Sequence, residues 1–468
     1  MDEVLRSPYR LSLLAGVPAL ACAGGCTPIE TEGEVTGANV TVDETVQYQS
    51  LVGFGAAVGW YQDMLVGHSK KAEIYDLVFE GMGLDMLRFR NRFQRSRATD
   101  ANLAAEQEIV ERAEESLGRR PAVLLTSWSP PAELKQSGEE NCQGDPGCTL
   151  RRGDDGSFVY DEFADYWAES LGEYDAAGIR ADYISIQNEP DFLPNGWEGC
   201  RFDPTEADGW PGYDQALVAV ADRVASLEHP PRIVGPETLG IHWGKIQDYV
   251  AKIDRSLVFG LAHHLYESGA WVDPDSYASV MSSVGAMAHG LPIFQTEFST
   301  DSVCSQDDED CDDFVLGGFE TAWLIQNSLV QEGTAAFLYW DLVWPHGGLV
   351  ALEGLEEYAI RDQYYALRHF ARFTDPGDVR VRVASDRFEV YGSAFVAPDG
   401  DRSTVILLNI GARTEDLVVD LGREGATRVF QTEFDPGETE AWVDRGELNS
   451  GGELALPPRS VTTIVVGG

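Results

Sequence analysis

Tyr183-Ile184-Ser185-Ile186-Gln187-Asn188-Glu189-Pro190 is a short apolar run that ends in an amide, a carboxylate and a proline. Such a run suits a strand buried on both faces, with a polar tip where the chain leaves the sheet. Similar β-rich runs lie on either side, at residues 52–57, 86–90, 122–129, 233–236, 260–266, 292–298 and 336–342. With 183–188 they make eight, spaced by stretches long enough to hold helices. Alternation of this kind predicts parallel strands joined by crossover helices, and eight of them predict an α/β closed barrel, the (β/α)8 TIM barrel. The competing arrangement is an open, doubly wound sheet. It is weaker because no Gly-x-Gly-x-x-Gly follows any of these runs.

Beyond Asp375-Pro376-Gly377 the texture changes to short β-type runs at 379–383, 387–391, 403–408, 416–421, 428–431 and 460–466, separated by Gly, Pro and Asp turns. This predicts an attached antiparallel β-sandwich, to which residues 38–46 would add a strand from the other end of the chain. The expected division is an export segment over 1–26, a linker and first sandwich strand over 27–44, the barrel over 45–372 and the sandwich over 373–468. There is no sustained internal repeat.

The 468 residues are enough for both parts, and 43% hydrophobic with 10% aromatic content marks a folded chain. The 34 basic and 78 acidic residues give a net charge of −44, which excludes nucleic acid and anionic lipid as default partners and favours solubility. Residues 11–25 are a short apolar run before Cys26, with Ala23-Gly24-Gly25 ahead of it. That reads as a signal of the lipoprotein type, with Cys22 a rival cleavage point. Asp2 and Glu3 depart from the usual basic start. The expectation is an exported protein, secreted or anchored at the cell surface through a lipid on Cys26, and monomeric. Cys142 and Cys148 bracket one turn-rich loop and Cys304 and Cys311 another, so two short bridges suit an oxidising compartment. A Cys148–Cys200 pair is an open alternative. No CxxC or His-x3-His accompanies them, and no metal or cofactor is expected.

In a parallel barrel, reactive groups gather at the C-terminal ends of the strands. The fourth run delivers Asn188 and Glu189 there and the seventh delivers Glu297. The third ends near Trp128, the sixth in His263, His264 and Tyr266, and the eighth in Trp340 and Asp341. Two carboxylates flanked by aromatics suit cleavage of a glycosidic bond: one protonates the leaving oxygen, the other attacks the anomeric carbon or activates water. Most glutamates in so acidic a chain are solvated surface groups. Glu189 differs in ending an apolar run before Pro190, and Glu297 in lying among Ile293, Phe294 and Phe298. Asn188 suits a hydrogen bond to a sugar hydroxyl, and Tyr266 suits a contact with the Glu297 carboxylate. Trp60, Trp128 and Trp340 suit sugar platforms or plain packing. His264 joins the substrate-binding candidates, although rim histidines are more often structural. The acidic run at 307–313 lacks the Asp-x-Asp-x-Asp-Gly calcium pattern.

Gly53-Phe-Gly-Ala-Ala57, Trp128-Ser-Pro-Pro-Ala132, Ile186-Gln-Asn-Glu-Pro-Asp191 and Phe294-Gln-Thr-Glu-Phe298 together resemble glycoside hydrolase family 30, most closely its xylanase and glucuronoxylanase branch. Gly235-Pro-Glu-Thr238 and residues 200–206 and 362–370 support the likeness, which runs from about residue 45 onward. The resemblance implies a barrel with a β-sandwich, a retaining mechanism without metal, Glu189 as acid/base, Glu297 as nucleophile, and xylan as polysaccharide substrate. One departure stands out. The glucuronoxylanases use an arginine after the eighth strand to grip a glucuronic acid branch, and here Trp340-Asp-Leu-Val-Trp-Pro-His-Gly-Gly348 contains none. Trp344 or His346 cannot copy a bidentate Arg–carboxylate contact, so Arg92, Arg95 or Arg201 would have to serve. The expected activity is a retaining endo-β-1,4-xylanase. The rivals are an exo-acting β-glycosidase of glucosylceramidase type and a non-catalytic sugar-binding protein.

Overall fold

The computed structural model describes residues 37–93, 100–207, 209–242, 245–266, 273–300, 317–345, 347–435 and 438–467. The export segment with Cys22 and Cys26, Arg95, Cys304, Cys311, the acidic run at 307–313 and His346 lie outside them. Among the described residues no helix is long and apolar enough to cross a membrane.

Eight parallel strands close into a barrel in chain order. They are β1 (Gly53–Val58), β2 (Met86–Arg90), β3 (Ala122–Thr126), β4 (Tyr183–Ser185), β5 (Arg232–Thr238), β6 (Gly260–His264), β7 (Ile293–Glu297) and β8 (Thr334–Tyr339). Buried on both faces, they are built from near-continuous apolar residues, which is why the runs were visible in the sequence. Met86, Leu124, Tyr183, Val234, Ala262, Phe294, Ala336 and Leu338 fill the interior. Neighbours in the same strands, such as Leu87, Leu125, Ile184, Ile233 and Ile293, face the surrounding helices. Two irregularities matter for the rim. The β6–β7 register shifts between Gln295 and Glu297, and the β5–β6 register between Pro236 and Thr238. Bulges of this kind re-aim side chains at strand ends.

The second part is a nine-stranded sheet. Its strands, all antiparallel except for the Val40–Ser50/Glu415–Asp420 pair, curl around a core of Val40, Val381, Val405, Leu407, Leu417, Val429 and Ile464. Val40–Ser50 lies between Val379–Ser385 and Glu415–Asp420. Residues 45–50, given to the barrel by the sequence reading, therefore belong to this sheet, and the barrel begins at Gly53. Glu438–Gly446 and Glu453–Leu456 were not foreseen. They are the two outermost strands, where charged residues protect an open edge and erase the apolar pattern. The run expected at 387–391 is in fact Val390–Val396. His369, on the helix Asp362–Ala371, fastens the barrel to the sheet through Thr463 and Thr432, each at 2.8 Å.

Cys142 and Cys148 form a disulfide, and Cys200 is a buried thiol. The bridge closes the loop whose strand Asn141–Gln143 pairs with Asn195–Glu198, just beyond the end of β4.

Candidate active site

The bulge in β7 places Glu297 at the mouth of the barrel. Glu189 arrives from the end of β4, its φ of 45° turning the chain into Pro190. Oxygen atoms of the two carboxylates and a ring nitrogen of His264 lie within 4.8 Å of one another. Both side chains are nearly covered, at 12% exposure for Glu189 and 9% for Glu297.

Each carboxylate has its own partners. Glu297 accepts from Arg88 Nη1 at 2.5 Å and from the Tyr266 hydroxyl at 3.1 Å. Tyr266 is stacked on Phe298, which fixes its ring. Glu189 is hydrogen-bonded to His264 Nδ1 at 2.9 Å. Burial pushes the Glu189 pKa up; the His264 contact opposes this and the nearby Glu297 charge reinforces it. Burial works against charge on His264, but Glu297 and the contacts with Glu189 and Glu237 raise it to about 9. These carboxylates favour the charged form of His264 beside the acid.

Arg88 is the hub. Fully buried on β2, it also donates to Asn188 Oδ1 at 2.7 Å and to Thr126 Oγ1 at 3.3 Å, and it contacts Glu237 at 3.1 Å. Its guanidinium lies 4.3 Å from the centre of the Trp128 ring. A guanidinium in this setting is held by charge on several sides, and removing it strands two buried carboxylates. Arg88→Met is expected to lower stability by about 3–5 kcal/mol. The check is the denaturant midpoint, which should fall with an unchanged slope.

Trp60, Trp128 and Trp340 form an aromatic wall with ring centres 5.3–5.7 Å apart. Trp60 and Trp340 are half-buried, with the Arg90 guanidinium 4.5 Å from the Trp60 ring centre, whereas Trp128, at 4% exposure, is largely covered by Arg88 and the other two rings. Gly59 has to be glycine because a Cβ there would lie 2.5 Å from Trp340. Burial pushes the Asp341 pKa well up, against the hydrogen bonds it accepts from the Gly59 and Leu342 amides.

The structure thus gathers Asn188, Glu189, His264, Tyr266, Glu297, Trp60, Trp128 and Trp340 at one mouth. His264 is corrected in one respect: at 0% exposure it acts on a ligand through the carboxylates it faces, Glu189 and Glu297, not by direct contact. His263 points away, to Glu332 at 2.7 Å. Sequence reasoning missed Arg88 and Glu237. The signal for Arg88 was a cation between Leu87 and Phe89 inside a barrel strand. For Glu237 it was a glutamate next to a proline at a strand end, as in Glu189-Pro190.

Glucuronoxylanase XynC of Bacillus subtilis (strain 168) is 22% identical over 449 residues, covering 92% of each chain. A putative glucosylceramidase 4 of Caenorhabditis elegans is 22% identical over 425 residues, 79% of this chain and 76% of that one. Among solved structures, the glycoside hydrolase family 30 subfamily 8 xylanase Xyn30A of Clostridium acetobutylicum matches with a TM-score of 0.68 at 21% identity. That match covers 92% of this chain and all of the other, a likeness of fold. No protein-family model matches. With one curated relative spanning 92% of the chain, a two-part architecture shared with the solved xylanase and two facing carboxylates at the barrel mouth, the chain is a glycoside hydrolase similar to the family 30 xylanases.

Proposed function

We propose that the chain is a retaining, endo-acting β-1,4-xylanase, exported and acting on extracellular xylan. The observation that carries the mechanism is that an oxygen of Glu189 and an oxygen of Glu297 lie within 4.8 Å of each other. Retaining enzymes hold their two carboxyl groups about 5–5.5 Å apart, whereas inverting ones leave about 6.5–9.5 Å for a water between them. Glu297, aligned by Arg88 and Tyr266, attacks the anomeric carbon while Glu189 protonates the departing oxygen. The product is a sugar ester of Glu297. Glu189, now a carboxylate, takes a proton from water, which attacks the same carbon and frees Glu297. Asn188 has its carbonyl oxygen committed to Arg88. Its amide N–H groups therefore serve a sugar hydroxyl beside the reacting carbon, while Trp60 and Trp340 receive sugar faces.

Of the three arginines that would have to replace the branch-gripping one, Arg95 lies outside the described residues. Arg92 is paired with Glu106 at 3.2 Å and Arg201 with Asp203 at 3.1 Å, and Trp344 is stacked on Tyr61. We therefore expect xylan to be cut without dependence on a uronic acid branch. Mass spectrometry of products from glucuronoxylan, arabinoxylan and linear xylan tests this. The reading predicts mixed oligosaccharides from all three from the first minutes. Products that each carry one uronic acid at a fixed position would restore branch dependence. Release of monosaccharide alone would favour the exo reading, and failure on all three would exclude xylan.

A further inference from the structure

Glu237 is a buried acid that the roles above leave unused. It is 0% exposed, so no substrate reaches it. Strands β5 and β6 pair Pro236 with Ala262 and Thr238 with His263, which leaves Glu237 as the extra residue of the bulge. Its φ is 63°, in the left-handed region also occupied by Glu189. A non-glycine residue held there costs about 1–3 kcal/mol and persists where its surroundings fix it, commonly at functional sites. The two backbones are joined, the Glu189 amide donating to the Glu237 carbonyl at 3.0 Å.

The side chain meets the two groups that hold the carboxylate pair. Glu237 Oε1 lies 3.1 Å from Arg88 Nη2 and 3.9 Å from His264 Nε2. Arg88 in turn holds Glu297, and His264 holds Glu189 while lying 3.9 Å from Glu297. The other polar groups facing Glu237 are the hydroxyls of Ser185, from β4, and Tyr213, from the helix Tyr213–Val224. Burial pushes the Tyr213 hydroxyl far above its usual range, so it stays neutral. Burial would also push Glu237 up, but Arg88, with His264 and Ser185, outweighs it and brings the acid down to about 2. With Glu189 protonated, the carboxylates of Glu237 and Glu297 then face the cations of Arg88 and His264, and the site is balanced.

We propose that Glu237 is a positioning residue of this site, its carboxylate holding Arg88 and His264 between Glu189 and Glu297 and so setting the pH range of activity. The inference rests on the retaining reading above. The test is steady-state kinetics on xylan across pH for the parent, Glu237→Asp and Glu237→Gln, with folding checked by circular dichroism. Removing a negative charge makes its neighbours release protons more readily. The alkaline limb of kcat/KM should therefore move to lower pH by about one unit in Glu237→Gln, and by less in Glu237→Asp. The kcat value should fall about tenfold or more, with KM within about twofold because Glu237 makes no contact with substrate. A merely structural residue would lower the yield of active enzyme and leave the limbs in place. If Glu237→Gln does not fold, Glu237→Asp carries the test, with its limb displaced in the same direction. Unmoved limbs in folded variants overturn the proposal while leaving the xylanase reading intact. A parent without turnover on xylan overturns both.

Discussion

Replacing Glu297 by glutamine is expected to abolish turnover, lowering kcat on the order of 10⁴-fold or more. The amide keeps nearly the same volume; its single oxygen can accept from Arg88 while its NH2 group donates to the Tyr266 hydroxyl oxygen, so the fold should be kept, with a melting temperature somewhat below that of the parent because Arg88 loses a buried counter-charge. It cannot form the sugar ester through which the reaction passes. Product release on xylan and a thermal melt by circular dichroism check the two halves. Substantial residual turnover in a folded variant would remove Glu297 as the nucleophile.

Glu189→Ala has a different expected signature. Loss of the general acid should cost on the order of 10²–10⁴-fold on xylan, whose leaving sugar needs a proton. The loss should be much smaller on an aryl glycoside that the parent cleaves and whose phenol departs unaided. Added azide should enter the space left by the side chain and trap the intermediate as a glycosyl azide of retained configuration. The pH profile follows with a definite sign. Glu189 acts as an acid, so the protonated form is the working form, and burial raises its pKa above the ordinary 4.5. Activity should therefore persist above the usual carboxylate range, and the alkaline limb should disappear in Glu189→Ala. An equal loss on both substrates, with the limb unchanged, would assign the acid role elsewhere.

These expectations concern residues that the sequence marks clearly. Strands β2 to β8 were visible because a strand covered on both faces must be apolar, and Glu189 and Glu297 because a carboxylate at the end of such a run needs a reason to be there. The internal partners were harder to see. Arg88 lies within Met86-Leu-Arg-Phe-Arg90, a run read only as a barrel strand, with no role given to its arginines. Only the fold shows that the first is enclosed by Glu237, Glu297 and Asn188. Glu237 was quoted with its proline but given no role, because its position depends on a one-residue register shift against β6 that no local pattern reveals. The two charged edge strands of the sheet were hidden for the opposite reason: their outer positions meet water.

The central claim is double displacement at one carbon by this pair, and the anomeric configuration of the first product tests it most directly. Proton NMR of fresh reducing ends, recorded before mutarotation, distinguishes the outcomes. Carboxylates this close predict the β-anomer first, with the α-anomer growing in only at the rate of mutarotation. If the α-anomer appears first, water attacks directly, and Glu297 is a base rather than a nucleophile.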